Sequence, residues 1–183
     1  MIVIIAGASG CGKTTVGEML ARRLRWPFTD GDLLHPASNI AKMARGEPLT
    51  DEDRMPWLRV IAARLDDWIA ADQSALLACS ALKRRYRAML LEGRPAAKIA
   101  FLRVDRDVAA QRLASRHGHF FKPQLLDSQF ADLELPGPDE AAVVVVPSEE
   151  RPEETAREVI RRLGLDAAIG AGPEQGTAGT GVV

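Results

Sequence analysis

The sequence predicts an α/β fold made of one domain, in which a five-stranded parallel sheet carries helices on both faces. Three observations support this prediction. Short apolar runs typical of buried strands alternate with longer segments of helical periodicity. A glycine-rich segment at residues 7–14 separates the first strand from the first helix. The chain of 183 residues has the length of about one domain.

The composition excludes several classes of protein. Lys and Arg number 24 against 25 Asp and Glu, so no broad basic surface is available for nucleic acid or an anionic membrane. The longest apolar runs, residues 1–6 and 141–146, are too short to span a bilayer. The two cysteines, Cys11 and Cys79, are expected to be free thiols that fill space in the core. We therefore expect a soluble, cytoplasmic protein with neither nucleic acid nor membrane as a partner.

The glycine-rich segment matches the pattern G-x-x-x-x-G-K-[ST] of a phosphate-binding loop. A buried strand at residues 1–6 precedes it, and the spacing of Val16, Leu20 and Leu24 predicts a helix over 13–25. Backbone N–H groups and the positive end of the helix dipole suit the phosphates of ATP. The residues expected to bind the nucleotide are Gly7, Ala8, Ser9, Gly10, Cys11, Gly12, Lys13, Thr14 and Thr15.

Two residues of this loop have predicted chemical roles. Lys13 is expected to reach the β- and γ-phosphates of ATP, where its charge assists the reaction. The hydroxyl of Thr14 is expected to ligate Mg²⁺ together with the ATP phosphates.

A pair of carboxylates follows the second predicted strand, residues 27–29. Asp30 and Asp32 are two residues apart, so in extended chain both point from one face at the carboxyl edge of the sheet. Ligands bind at that edge in open parallel sheets. An ordinary turn has the same composition, so the pair alone is weak evidence.

Two helices are predicted next. Ser38 is expected to cap a short helix that ends at Gly46, with His35 in the loop before it. Thr50 is expected to cap a longer helix, and the tryptophans on that helix are expected in the core. Arg54 lies in the first turn of this helix, where a cation is unfavourable unless it serves an anion.

The third strand, residues 75–79, is followed by a basic helix. Ser80 is expected to cap this helix over residues 81–91. Lys83 and Arg87 are four apart and share a face, which begins at the carboxyl edge of the sheet. A solvated basic face is the alternative to a ligand site.

The second half of the chain continues the alternation of strands and helices. Strands are predicted at residues 98–104 and 141–146. Helices are predicted after Asp105, which caps the first of them, and at residues 124–133 and 152–163. Arg112 and Arg116 are four apart and lead into a predicted lid at 116–123. The kinase domain is expected over residues 1–165, and the small and polar residues 166–183 are expected to form a disordered tail.

These features predict phosphoryl transfer, which needs positioned groups and neutralisation of charge on the phosphate oxygens. Asp32, with Asp30 as second choice, is assigned to the acceptor hydroxyl. Arg116, helped by Arg112, is assigned to the phosphates. The cationic groups left over predict that the acceptor is a small polyhydroxylated anion. They are His35, Arg54, Lys83 and Arg87.

The sequence closely resembles the bacterial-type gluconokinases of the P-loop kinase superfamily, relatives of shikimate kinase and the nucleoside monophosphate kinases. The resemblance rests on residues 7–14, 30–36, 39–43, 46–51, 53–58, 79–87, 119–122 and 128–130. It implies ATP-dependent phosphorylation of D-gluconate to 6-phospho-D-gluconate. It also implies a P-loop NTPase three-layer sandwich with strand order 2-3-1-4-5 and, commonly, a homodimer.

The resemblance implies substrate positions at Asp32, His35, Arg54, Lys83 and Arg87. Cys11 stands at a variable place in the family's loop, where it could make activity sensitive to oxidation. Two alternatives stay open. One is a kinase for shikimate or another sugar acid, with a nucleoside monophosphate kinase as a more distant case; the other is a nucleotide-dependent switch that turns over no metabolite.

Overall fold

A computed structural model describes residues 1–115, 123–148 and 151–169 of the chain. Its five strands are all parallel and lie in the order β2-β3-β1-β4-β5. The strands are β1 (Ile2–Ala6), β2 (Phe28–Asp30), β3 (Ala75–Cys79), β4 (Ala97–Arg103) and β5 (Val143–Pro147). The predicted α/β fold and the strand order implied by the resemblance are both confirmed.

Helices connect the strands and extend beyond the last one. The α-helices are α1 (Lys13–Leu24), α2 (Ala37–Ala44), α3 (Asp51–Ala70), α4 (Arg84–Leu91), α5 (Arg106–Ala114), α6 (Pro123–Ala131) and α7 (Pro152–Leu163). Two 3₁₀ helices span Gly31–Leu34 and Asp166–Ile169. In the described residues no helix is long and apolar enough to cross a bilayer.

The central strand β1 separates two halves of the hydrophobic core. Its residues alternate between the faces of the sheet, as extended chain requires, and all five are fully buried. Ile2 and Ile4 pack with α3 and α4 on one face. Val3 and Ile5 pack with α1, α5 and α7 on the other. The two tryptophans of α3 are buried in the first half, which confirms their predicted place in the core.

Helix α3 begins as predicted, whereas two other predicted caps are wrong. Thr50 caps α3 in a reciprocal capping box, because Asp53 Oδ2 also accepts from the backbone N–H of Thr50. Ser38 lies inside α2, which starts directly after Pro36. Ser80 caps nothing, because Ala81 takes a left-handed φ of 38° and α4 begins only at Arg84.

The folded chain continues beyond residue 165. Leu165 is buried and its N–H donates to the Ile160 carbonyl, which turns the chain back against α7. Asp166–Ile169 then form a 3₁₀ helix whose Ala168 packs on the core. The predicted disorder is therefore wrong for residues 166–169, and the rest of the predicted tail, residues 170–183, lies outside the described part of the chain.

Candidate active site

The loop at residues 7–12 presents a free helix N-terminus at the carboxyl edge of the sheet. Gly12 is the N-cap of α1 with a φ of 91°, no side chain caps this terminus in the described residues, and no acidic residue occupies the first turn. Gly10 has a φ of 82°, and a Cβ there would lie 2.6 Å from the Ala109 carbonyl oxygen of α5. The loop thus packs closely on α5 while its N–H groups suit an anion.

Lys13 keeps its ammonium group at this loop. Its Nζ donates to the carbonyl oxygens of Gly7 at 3.0 Å and Ala8 at 3.1 Å. These are neutral acceptors, so a phosphate oxygen could replace them as a stronger partner for the charge.

The two aspartates after β2 occupy distinct positions. Asp30 Oδ2 accepts from the Thr14 hydroxyl at 2.9 Å, and Asp30 Oδ1 accepts from the backbone N–H of Asp32 at 3.0 Å. Both oxygens of Asp30 are therefore engaged beside the loop. The side chain of Asp32 instead lines the adjacent cleft.

This cleft lies between the phosphate loop, α2, α3 and α6, and it is partly open to solvent. The described residues that line it are Ser9, Lys13, Asp32, His35, Met43, Pro48, Leu49, Arg54, Trp57, Ser80, Leu82, Leu125, Ser128 and Gln129.

His35 is fixed as a flat wall of the cleft. Its ring stacks on Trp57 with centroids 4.1 Å apart, and its Nδ1 lies 3.3 Å from Asn39 Nδ2. Burial lowers the pKa of His35 below its ordinary value of 6.5, and Arg54 adds to this effect while Asp32 opposes it. A neutral ring that accepts from Asn39 carries its proton on Nε2, so it can donate to a ligand hydroxyl.

Arg54 reaches the cleft from the first turn of α3, as predicted, and is nearly buried. Its Nη1 donates to Asp132 Oδ2 at 2.8 Å and lies 3.4 Å from the Tyr86 hydroxyl. The carboxylate of Asp132 compensates the charge that the start of the helix disfavours.

Lys83 lies one layer behind the cleft. Its Nζ contacts Asp132 Oδ1 at 3.0 Å and Asp51 Oδ1 at 3.1 Å. Asp51 also pairs with Arg85 and accepts from the Tyr86 hydroxyl. Lys83 is not among the described residues that line the cleft, and Asp132 stands between it and Arg54.

Arg87 is part of the interior. Its side chain is fully buried, and Nε and Nη2 donate to the two oxygens of Glu140 at 2.7 and 2.8 Å. Its Nη1 donates to the carbonyls of Leu82 and Glu134, each at 2.9 Å. The guanidinium is committed to Glu140 and to backbone carbonyls, and Arg87 is not among the described residues that line the cleft, which argues against the predicted contact between Arg87 and the acceptor.

Only one of the two arginines assigned to the phosphates is described. Arg112 lies half-buried in the last turn of α5, beside the loop. Arg116 and residues 117–122 of the predicted lid lie outside the described residues.

The buried cysteines are not suited to redox chemistry. Burial raises the pKa of the Cys11 thiol despite the nearby charges of Lys13 and Arg112, and the side chain is inaccessible. Burial likewise raises the pKa of Cys79 to about 12. The predicted sensitivity of Cys11 to oxidation is contradicted by this burial.

Gln129 in α6 and Asp132 just after it make contacts that the sequence did not predict. Gln129 Oε1 accepts from the Ser9 N–H at 2.7 Å, and Gln129 Nε2 donates to the Ser9 hydroxyl at 3.0 Å. Asp132 bridges Arg54 and Lys83. The resemblance at residues 128–130 was the one feature of the sequence that pointed to Gln129. Local periodicity cannot pair Ser9 with Gln129, because they are 120 positions apart.

Comparisons with known proteins show the family of this chain. The family model described as shikimate kinase matches residues 9–164. The thermoresistant gluconokinase of Escherichia coli is 46% identical over 145 residues, which cover 79% of this chain and 83% of that protein. This chain belongs to the gluconokinase family.

Two further members of the gluconokinase family match most of the chain. The gluconokinase of Gluconobacter oxydans is 46% identical over 164 residues, covering 88% of this chain and 90% of that protein. A crystal structure of a gluconokinase from Sinorhizobium meliloti superposes with a TM-score of 0.79 at 40% identity, covering 88% of this chain and 90% of that one. As a member of the gluconokinase family the chain is an ATP-dependent kinase.

Proposed function

We propose that the protein transfers the γ-phosphoryl group of ATP to the terminal hydroxyl of D-gluconate, forming 6-phospho-D-gluconate and ADP. One observation carries the proposal: Lys13, Asp32 and Arg54 all line a single cleft. A phosphate donor and a carboxylate-bearing acceptor can therefore meet there. The names of the similar proteins support the same substrate.

The nucleotide phosphates bind the N–H groups at the start of α1. Lys13 leaves the carbonyls of Gly7 and Ala8 and moves onto the β- and γ-phosphates. The hydroxyl of Thr14 and the carboxylate of Asp30 are hard oxygen ligands 2.9 Å apart, a set that fits Mg²⁺ completed by phosphates and water. When bound, Mg²⁺ would neutralise part of the phosphate charge.

Asp32 orients the acceptor hydroxyl and takes its proton as the oxygen attacks the γ-phosphorus. The bond from that phosphorus to the bridging oxygen breaks, and ADP leaves with the electron pair. Asp32 suits this role better than Asp30, because Asp30 is already engaged by Thr14 and the Asp32 backbone. Arg112 and Arg116 remain the residues predicted to stabilise the transferring group.

The acid end of the acceptor binds at Arg54, whose planar guanidinium matches a carboxylate. The neutral ring of His35 donates from Nε2 to a hydroxyl of the open-chain sugar. Hydroxyl and carboxylate are thereby recognised by different groups, which favours a hydroxy acid over a neutral sugar.

The proposal is tested by measuring ADP release with gluconate, shikimate, other aldonic acids and nucleoside monophosphates. We expect the highest kcat/KM for gluconate, and ADP release that requires an added acceptor. Preference for another acceptor would overturn the substrate assignment, and acceptor-independent turnover would favour a nucleotide switch. Lys13→Ala should lower kcat by roughly a hundred-fold or more, since it removes a charge from the transferred phosphate.

The homodimer and the cytoplasmic location implied at the start remain predictions, as does the absence of nucleic-acid and membrane partners. Sedimentation of the purified protein over a range of concentrations would test the dimer.

A further inference from the structure

Arg54, which lines the cleft, and Lys83, which is not among the described residues that line it, hold one carboxylate between them. Asp132 Oδ2 lies 2.8 Å from Arg54 Nη1, and Asp132 Oδ1 lies 3.0 Å from Lys83 Nζ. One carboxyl group therefore bridges two cations with one oxygen on each. The carboxylate of a sugar acid has the same shape and charge, and it could make the same two contacts.

The charges around this bridge leave a place for one more anion. Arg54, Lys83 and Arg85 contribute three positive charges, while Asp51 and Asp132 contribute two negative ones. These five side chains therefore carry a net charge of about +1, which a bound monocarboxylate would neutralise. If Asp132 moved away, the net charge would rise to about +2, and the attraction for an acid would increase.

The position of Asp132 is set by the cations and not by its helix. Asp132 directly follows α6, and its N–H still donates to the Ser128 carbonyl at 3.0 Å. A carboxylate is unfavourable at the C-terminal end of a helix dipole. Burial opposes its ionised form, but hydrogen bonds from Arg54 and Lys83 outweigh burial and lower the pKa of Asp132.

Arg54 is the member of this bridge that lines the cleft, whereas Lys83 and Asp132 are not among the described residues that line it. Lys83 lies at the second oxygen of the Asp132 carboxylate, and it also lines an open depression with Arg84, Arg85 and Glu134. The side chain of Asp132 is 26% exposed, so a rotation would carry its carboxylate towards solvent. An acceptor carboxylate that took the place of Asp132 would contact both cations.

We propose that Asp132 is an internal substitute for the acceptor's carboxylate, which binds Arg54 and Lys83 until the acid displaces it. The proposal rests on the proposed function, since it assumes an acidic acceptor at Arg54. Asp132 is thus a residue that sets acceptor affinity, and it costs the enzyme part of the binding energy that the two cations offer.

The test is Asp132→Asn, which keeps the shape of the side chain and removes its charge. The KM for gluconate should fall by about five-fold, because the neutral amide competes poorly for two cations. The kcat and the KM for ATP should stay within about two-fold of the wild-type values, since Asp132 makes no described contact with the phosphate loop. A KM for gluconate that is unchanged or higher would overturn the proposal.

Two controls separate lost competition from general loosening of the cleft. Asp127→Asn likewise removes one negative charge, at a residue within α6 that pairs with Arg106, and it should leave kcat and both KM values unchanged. The neutral analogue D-gluconamide should show no lower KM with Asp132→Asn than with wild type. An equal gain for the amide and the acid would contradict displacement. If Asp132→Asn does not fold, as judged by its thermal melting, Asp132→Ser is measured in its place.

The outcome is distinguishable from failure of the proposed function. If wild type prefers a different acid, the substrate assignment fails and the same variants are measured with that acid. If wild type prefers gluconate and Asp132→Asn gives no gain, only the inference about Asp132 fails.

Discussion

Arg54 and Arg87 are two buried arginines with different chemistry. Arg87 has a fully buried side chain and uses Nε, Nη1 and Nη2, with Glu140 as its ion-pair partner. The side chain of Arg54 is 11% exposed, and in the described residues its hydrogen bonds all come from Nη1. Arg54 therefore retains Nε and Nη2 for a ligand, whereas all three nitrogens of Arg87 are engaged inside the protein. Burial alone does not distinguish a structural arginine from a ligand-binding one. The number of its N–H donors that already have partners makes that distinction.

The largest effect expected from this comparison is on stability. Arg87→Ala leaves Glu140 buried without its partner, which should cost about 3–5 kcal/mol of the free energy of unfolding. Urea denaturation of the variant beside wild type measures this change.

Replacing both members of the Arg87 and Glu140 pair gives the matched control. Arg87→Leu with Glu140→Leu should recover part of the stability, because no charge is left unpaired although the carbonyls of Leu82 and Glu134 lose a donor. The folded double variant should keep the wild-type KM for the acceptor. A strong rise in the KM for gluconate would show that Arg87 does contribute to acceptor binding.

Arg54→Ala should affect binding instead. Loss of a charged hydrogen-bonding partner of the acid costs about 1.5–3 kcal/mol, so the KM for gluconate should rise roughly ten- to a hundred-fold. The KM for ATP should stay near the wild-type value. Arg59→Ala, an exposed site on the same helix, is the control and should change neither constant. Equal weakening of ATP and acid binding would contradict the separation of the two sites.

A smaller effect concerns His35 and pH. Burial, the main cause, lowers the pKa of His35 from 6.5, so the unfolded chain binds more protons than the folded one just below that pH. The free energy of unfolding contributed by this residue should therefore be complete above pH 6.5 and fall as the pH drops below it. Urea denaturation at several pH values should show a shallower decline for His35→Gln than for wild type. Parallel declines would show that His35 is not the titrating group.

The smallest effect is expected at Cys11. Because its thiol is buried and burial raises its pKa, iodoacetamide at neutral pH should leave kinase activity unchanged. Inactivation that Cys11→Ser prevents would show that the loop opens enough to expose the sulfur.

The sequence predicts the features that depend on neighbours along the chain. The first strand, the loop around Lys13 and the capping by Thr50 follow from local periodicity and composition. The strand order came from the resemblance. The pairings that distinguish Arg54 from Arg87 do not follow, because Asp132 and Glu140 lie 78 and 53 residues away. Only the folded chain brings these residues together. Lys83 and Arg87 do not share a helical face as predicted, because Lys83 is the extended N-cap of α4 and only Arg87 lies within the helix.

The central claim is that Arg54 recognises the acid group of the acceptor, and one measurement tests it most directly. The kcat/KM values of D-gluconate and D-gluconamide are compared in wild type and in Arg54→Ala. The account predicts that wild type strongly prefers the acid and that Arg54→Ala loses most of this preference. Equal use of the acid and the amide by wild type, or an undiminished preference in the variant, would contradict it.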